Sequence, residues 1–203
     1  YYDLPLELGV LFYYNPLSKS FECSSVTQKE FLTVLGDGKN SVRKLLLKHQ
    51  RGQLYAHLLK DKDLSVNWDY VPAFAESYVV HRIGNHSKGT RFLNANHLIA
   101  QGINTAVNRI AEGMQGIHYG RMDLKVASFK SLLESKDTKV FEINGVSSEA
   151  GHIYDLPTYL HAYKVMAKEW LRIGKISKYN IKKGVKTTPF SVFLKQIIKH
   201  FNL

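Results

Sequence analysis

Apolar and polar positions divide the chain into short alternating stretches and longer ones of helical period. Residues 7–15, ELGVLFYYN, are aromatic and β-branched enough for a strand, and the Asn15-Pro16 pair closes it with a turn. A second strand is expected over 22–27. In LGDGKNSVRKLLLKHQRG, Gly36-Asp37-Gly38 makes a turn, Asn40 or Ser41 can cap, and Val42, Leu45 and Leu46 recur at helical spacing. A short helix is expected around 54–59. ESYVVHRI, at 76–83, reads as a strand running into the Gly-bounded loop GNHSKGTRF. From 94 to 114, Leu98 or Ile99, Ile103, Val107, Ile110 and Met114 recur every three to four residues, the mark of one amphipathic helix.

Two strands are expected at 117–126 and 138–143, with a short helix around 129–133 between them. Tyr159, Tyr163, Met166, Trp170 and Ile173 predict a long helix with that face toward the core. Phe190, Phe193, Leu194, Ile197, Ile198 and Phe201 give a last amphipathic helix, expected to dock back on the domain. There is no internal repeat. Strands and helices mix without strict alternation, which predicts an α+β fold with a mostly antiparallel sheet flanked by helices. The division expected is a folded lobe over 1–171 and a basic tail over 172–203.

Composition narrows the picture. The chain has 203 residues, is 44% hydrophobic and carries a formal net charge of +11, enough for one substantial core. From Arg172 onward there are eight Lys or Arg and no acid, which leaves +3 for the other 171 residues. Basicity therefore belongs to the tail, which could touch a nucleic acid, an anionic membrane or an acidic partner, with a solvated tail that keeps the protein soluble as the favoured reading. One cysteine, Cys23, excludes an internal disulfide and fits a reducing compartment, so a cytoplasmic location is expected. No apolar run approaches the ~20 residues that cross a bilayer. The first residue is not Met and strand residues follow almost at once, so the chain is expected to belong to a longer polypeptide.

The chemistry lies in two short runs. Residues two apart on a strand share a face. In GRMDLKV, Arg121 and Asp123 share one; in VFEIN, Glu142 and Asn144 share one, with Phe141 and Ile143 opposite. If the two strands pair, two carboxylates, an amide oxygen and a guanidinium converge on one patch backed by apolar residues. That is an all-oxygen set for a hard cation such as Mg²⁺, with a group beside it able to steady a phosphoryl charge. An ordinary salt-bridged pair at a strand end explains the spacing equally well.

The G-R-M-D run, a spacer of 18 residues after Asp123, and E-I-N together resemble the ATP-grasp superfamily, typified by D-alanine–D-alanine ligase and other carboxylate–amine ligases. The resemblance implies the larger, metal-bearing lobe of that fold. It implies ATP with two Mg²⁺ (or Mn²⁺) ions held by Asp123, Glu142 and Asn144, and Arg121 on the transferring phosphoryl group. Upstream, LPLELGV is similar to the strand carrying the family's ribose-binding Glu, here Glu7. VLGDGKNSVRKLL is similar to the GDG stretch of peptide-ligase branches. HRIGNHSKGTRF resembles the strand and glycine loop that reach the γ-phosphate or substrate, which points to Arg82 and Asn85, with Lys88 beside them. The loop GVSSEAGHIYD departs from the T-x-P-G that often follows E-x-N, so the acceptor pocket cannot be transferred. Ser147, Ser148 and His152 are candidates to orient a substrate carboxylate there, and a plain helix-capping loop is the equal alternative.

The leading expectation is an ATP-dependent ligase joining a carboxylate to an amine, from an amino acid or peptide, through an acyl phosphate with release of ADP and phosphate. The smaller lobe, with its phosphate-binding lysines, is expected elsewhere in the same polypeptide, and without it the 203 residues are expected to bind nucleotide poorly. The alternative is a non-catalytic nucleotide-binding module acting as a sensor or partner domain. A nucleic-acid partner is not expected, because the basic residues avoid the acidic patch. A homodimer is left open.

Overall fold

The computed structural model describes residues 3–60, 66–100, 102–114 and 116–201. Its strands are β1 (Leu6–Asn15), β2 (Ser20–Glu30), β3 (Thr33–Leu35), β4 (Ser77–Val79), β5 (Arg91–Asn94), β6 (Tyr119–Val126) and β7 (Thr138–Asn144). Its helices are α1 (Val42–Lys48), α2 (His97–Ala100), α3 (Ile103–Ala111), α4 (Phe129–Leu133), α5 (Tyr159–Lys182) and α6 (Phe190–Phe201), with short 3-10 segments at Gly52–Lys60, His86–Lys88 and Gly151–Asp155.

Five strands form one sheet in the order β5-β2-β1-β6-β7, and every neighbouring pair is antiparallel. The α+β class expected from the sequence is the class observed. β1 lies at the centre and is covered on both faces, which is why its sequence is almost continuously apolar. On one face Leu8, Val10 and Phe12 meet Val26 of β2 and Met122, Leu124 and Val126 of β6, under Leu98, Ile103, Val107 and Leu132 of α2, α3 and α4. On the other, Leu11 and Tyr119 pack against Ala150 of the loop after β7 and Ile176 of α5. A separate small core, Leu32, Val34, Val42, Leu45, Leu46 and Val80, joins α1 to the β3–β4 pair.

β5 pairs only with Thr27–Glu30, so the earlier part of β2 would be an open edge. Asparagine side chains close it. Asn108, Asn104 and Asn96 accept the backbone N–H of Phe21, Cys23 and Val26 at 2.7, 2.8 and 2.7 Å. Asn104 and Asn108 stand one turn apart on α3, so a single helix face supplies two of the three bonds.

Several expectations change. The helix expected across 94–114 is broken into α2 and α3, because Gly102 adopts φ +96. The strand expected over 76–83 shortens to Ser77–Val79. Ser41 occupies the N-cap position of α1 without a side-chain cap bond, and Asp37 instead accepts the N–H groups of Lys39 and Asn40. α5 is rotated by roughly a quarter turn from the sequence reading, so that of the expected face only Met166 and Ile173 stay half-buried. Tyr159, Tyr163 and Trp170 are exposed, and the buried stripe runs through Glu169 and Ile176 with Val165 and Ile173. Glu169 can face the sheet because Ser24 donates to it and Arg172 pairs with it. A count of apolar positions misses a stripe with a paired charge at its middle. α5 also runs unbroken through position 172, so the basic tail begins inside a helix. The docking expected of α6 is not seen among the described residues: Phe190, Phe193, Leu194, Ile198 and Phe201 are exposed.

Candidate active site

The antiparallel register sets Asp123 opposite Glu142 and Arg121 opposite Asn144. Directly opposed residues share a face, so the four side chains of the two motifs meet on one side of the sheet. On the central strand Gly9 is the partner of Asp123, and Glu7 lies between Lys29 of β2 and Lys125 of β6. A side chain at Gly9 would press on Asp123 Oδ1 at 3.2 Å and Arg121 Cδ at 3.3 Å. Glycine leaves the room in which these two groups pair.

A line of alternating charge results. Lys29 Nζ is 3.0 Å from Glu7 Oε1 and 3.2 Å from Asp123 Oδ2. Arg121 Nε and Nη2 donate to Asp123 Oδ1 and Oδ2 at 2.9 and 3.2 Å, a two-bond fork. Glu7, Lys29 and Asp123 are buried, whereas Arg121 keeps 22% of its side chain exposed and Glu142 stands open to solvent. The anionic mouth therefore lies at the β7 side, over a buried and compensated floor.

One expectation about this face is corrected. Phe141 was expected to back the patch from the apolar side, but the β6–β7 register shifts between Asp123 and Leu124, pairing Asp123 with Glu142 and Leu124 with Val140. Phe141 is the extra residue of a bulge. Val140 packs on the core in its place, and the Phe141 ring lies 6.0 Å from the Lys29 ammonium. Bulges re-aim side chains, and sequence alternation carries no sign of one.

The loop after β4 reaches the Glu7 end. Gly84 lies so close that a Cβ there would fall 1.9 Å from Glu7 Oε1 and 2.7 Å from Lys29 Cδ. Gly84→Ala is expected to cost about 1–3 kcal/mol by overpacking, read as a lower urea midpoint. An unchanged midpoint would show that the loop moves aside freely. Asn85 Oδ1 accepts from the Ser87 N–H and hydroxyl at 2.9 and 3.0 Å, so it shapes its own turn. Arg82 is exposed and Lys88 is half-buried. The His86 ring stacks 4.8 Å from Tyr154, tying this loop to the one after β7.

In that second loop Ser147 is exposed, and Ser148 donates to the Gly145 carbonyl at 2.6 Å, a local turn. His152 is buried, with Nδ1 2.6 Å from the Ser25 hydroxyl, and holds the 3-10 turn against β2. That placement turns the ring toward the sheet. Burial lowers the His152 pKa from its usual 6.5, with Asp155 pulling weakly the other way. The unfolded chain takes up its proton near pH 6.5 while the folded form resists it, so stability falls as pH drops below about 6.5. We expect the urea midpoint to decline between pH 7.5 and 5, and His152→Gln to flatten that decline. An identical slope in the variant would remove His152 from the account. Tyr154 donates to Glu149 at 2.7 Å, which with burial raises its pKa to about 12.

Whether the patch suits a divalent cation can be judged from its donors. Among the described residues no three His, Cys, Asp or Glu side chains are placed so that together they could hold a metal ion. The set is two carboxylates and a carboxamide, all oxygen donors, matching the small protein share that Mg²⁺ needs beside water and phosphate. Asn144 Nδ2 is buried without a partner, an unsatisfied amide at the rim. Glu142 is open. Against this, both Asp123 oxygens are already held by Lys29 and Arg121. The donor chemistry fits a hard cation, and Asp123 would have to share its charge to bind one.

Lys29 was missing from the sequence reading. Its run, VTQKE, resembles any polar strand end. The available signal was indirect: Glu7 and Asp123 are carboxylates inside apolar strands, and two buried anions require a cation between them. Cys23 proves inert. Its thiol is buried, which pushes its pKa up to about 12.

The site and fold define an antiparallel α+β domain whose central strands carry a compensated carboxylate cluster opening at one edge. No protein-family pattern and no curated protein matches the chain. Among solved structures it is similar to a bifunctional glutathione synthetase from Pasteurella multocida, at 18% identity and a TM-score of 0.43. That match covers 75% of this chain and 22% of that one, so the chain spans less than a quarter of its neighbour's length.

Proposed function

We propose that the chain is the metal- and phosphate-binding lobe of an ATP-dependent carboxylate–amine ligase of the ATP-grasp type. The overall reaction would phosphorylate a substrate carboxylate, and an amine would then displace phosphate from the acyl carbon, losing a proton as the amide forms. The observation that carries this reading is the β6–β7 register, in which the motif residues Arg121, Asp123, Glu142 and Asn144 become two cross-strand pairs on one face. Mg²⁺–ATP, when bound, supplies the phosphoryl group and neutralises its charge.

The chain's own residues then have distinct tasks. Asp123, Glu142 and Asn144 would hold the ions. Arg121, partly exposed and aimed by its fork with Asp123, would present a guanidinium edge to the transferring phosphoryl oxygens. Lys29 would keep Asp123 in position from beneath, while Glu7, which the resemblance implies as the ribose ligand, is buried against Lys29 and would have to be uncovered to take that role. Arg82, Asn85 and Lys88 would border the substrate from the loop after β4. The complementary lobe would come from the same polypeptide, and the substrates would be an amino acid or peptide carboxylate and an amine.

The test uses the full-length polypeptide with Mg²⁺, ATP and pools of amino acids and small carboxylic acids. Pool-dependent ADP and orthophosphate are expected. AMP and pyrophosphate would replace the acyl phosphate by adenylation. One observation favours a second reading, a nucleotide-binding sensor module. Asp123 is already balanced by two cations, a state that needs no metal. ATP retention with no turnover in any pool would support it.

A further inference from the structure

α6 buries no residue of its own, yet Phe190, Phe193, Leu194, Ile197, Ile198 and Phe201 fall along one side of its 12 residues. With 100° per residue these positions occupy a single arc, and Lys195 and Lys199 lie on the opposite side. The preceding helix continues the charge. Beyond Glu169 the chain contains no acid, and Lys175, Lys178 and Lys182 line a cleft of about 630 Å³ between α5 and the β1–β2 turn. At the tip of that turn Leu17 is 93% exposed.

We propose that α6, with the basic end of α5, is a docking surface for a membrane bearing anionic lipid headgroups. Charge complementarity selects this occupant. A nucleic acid would use the cations and leave the phenylalanine side in water. A second copy would bring two acid-free basic tails together, with no carboxylate in either to pair them. An anionic bilayer surface takes both halves: apolar side chains enter the acyl boundary while lysines stay at the headgroups. At 12 residues α6 is far below the ~20 needed to span. It would therefore lie in the plane of the surface. This proposal is independent of the ligase reading.

The experiment is co-sedimentation of the full chain with extruded vesicles, either pure phosphatidylcholine or equal parts phosphatidylcholine and phosphatidylglycerol. Binding at least about tenfold stronger to the anionic vesicles is expected, weakening as salt rises. The double variant Phe193→Glu/Ile197→Glu is expected to fall to the neutral-vesicle level with its thermal midpoint unchanged. Lys195→Glu/Lys199→Glu should lose about tenfold on anionic vesicles alone. No retention by the wild-type chain, equal retention on both vesicles, or full retention by the Phe193/Ile197 variant would each overturn the proposal. So would a dimer, or duplex DNA binding, that these variants abolish while vesicles are ignored.

Discussion

Glu142→Gln is expected to leave the protein folded and to reduce the proposed ligase turnover by at least about 10²–10³-fold, the loss typical of removing one group that stabilises developing charge. The two halves of that result have separate causes. Glu142 lies on β7, at the sheet edge, with its side chain open to solvent. Gln keeps its volume and strand geometry, so little packing is disturbed. Charge is what changes. Glu142 is the one open carboxylate opposite Asp123, whose own oxygens are held by Lys29 and Arg121. Without it the mouth of the site loses the anion best placed to attract a divalent ion. The measurement is ADP release by the full-length polypeptide at saturating Mg²⁺–ATP and substrate, beside a thermal melt. Undiminished activity would refute the metal assignment; lost activity with a lowered melting point would indicate a structural role instead.

Lys29→Met is expected to destabilise the fold by about 3–5 kcal/mol, the scale for breaking a buried ion pair at one partner. Its ammonium is the shared cation of Glu7 and Asp123, at 3.0 and 3.2 Å, and all three side chains are at most 6% exposed. Met fills the space of the lysine stem but takes the ammonium away from Glu7, which keeps only Lys125 across the strand pair, and leaves Asp123 with Arg121 alone. The remedy identifies the mechanism: Lys29→Met with Glu7→Gln should recover a substantial part of the loss, because one of the two stranded charges is gone. Urea midpoints of the single and double variants measure it. Equal midpoints for wild type and Lys29→Met would mean that water reaches the cluster and compensates both carboxylates.

The extent to which this site was legible in the sequence varied residue by residue. Arg121 with Asp123, and Glu142 with Asn144, could be assigned to common faces because a strand's period of two is local geometry. The pairing of the two strands was only a condition of that reading, and the β6–β7 register met it. Phe141 could not be placed, because a bulge depends on how two strands accommodate each other. Lys29 could not be placed for a different reason. Its partners are distant in sequence, Glu7 by 22 residues and Asp123 further still, and only the sheet order β2-β1-β6 brings a β2 side chain across the glycine of β1 to reach β6.

The helices divide along the same line. By itself the sequence determined where α4 and α6 form and which residues of β1 are apolar, because helix period, strand alternation and turn chemistry act over a few neighbours. Tertiary structure decided what each face meets. It turned α5 so that Glu169, neutralised by Arg172 and Ser24, lies inward while Trp170 lies outward. It left α6 uncovered, and it buried His152 against Ser25. Burial of a polar or charged group is favourable only when a specific partner is waiting, and those partners come from remote parts of the chain.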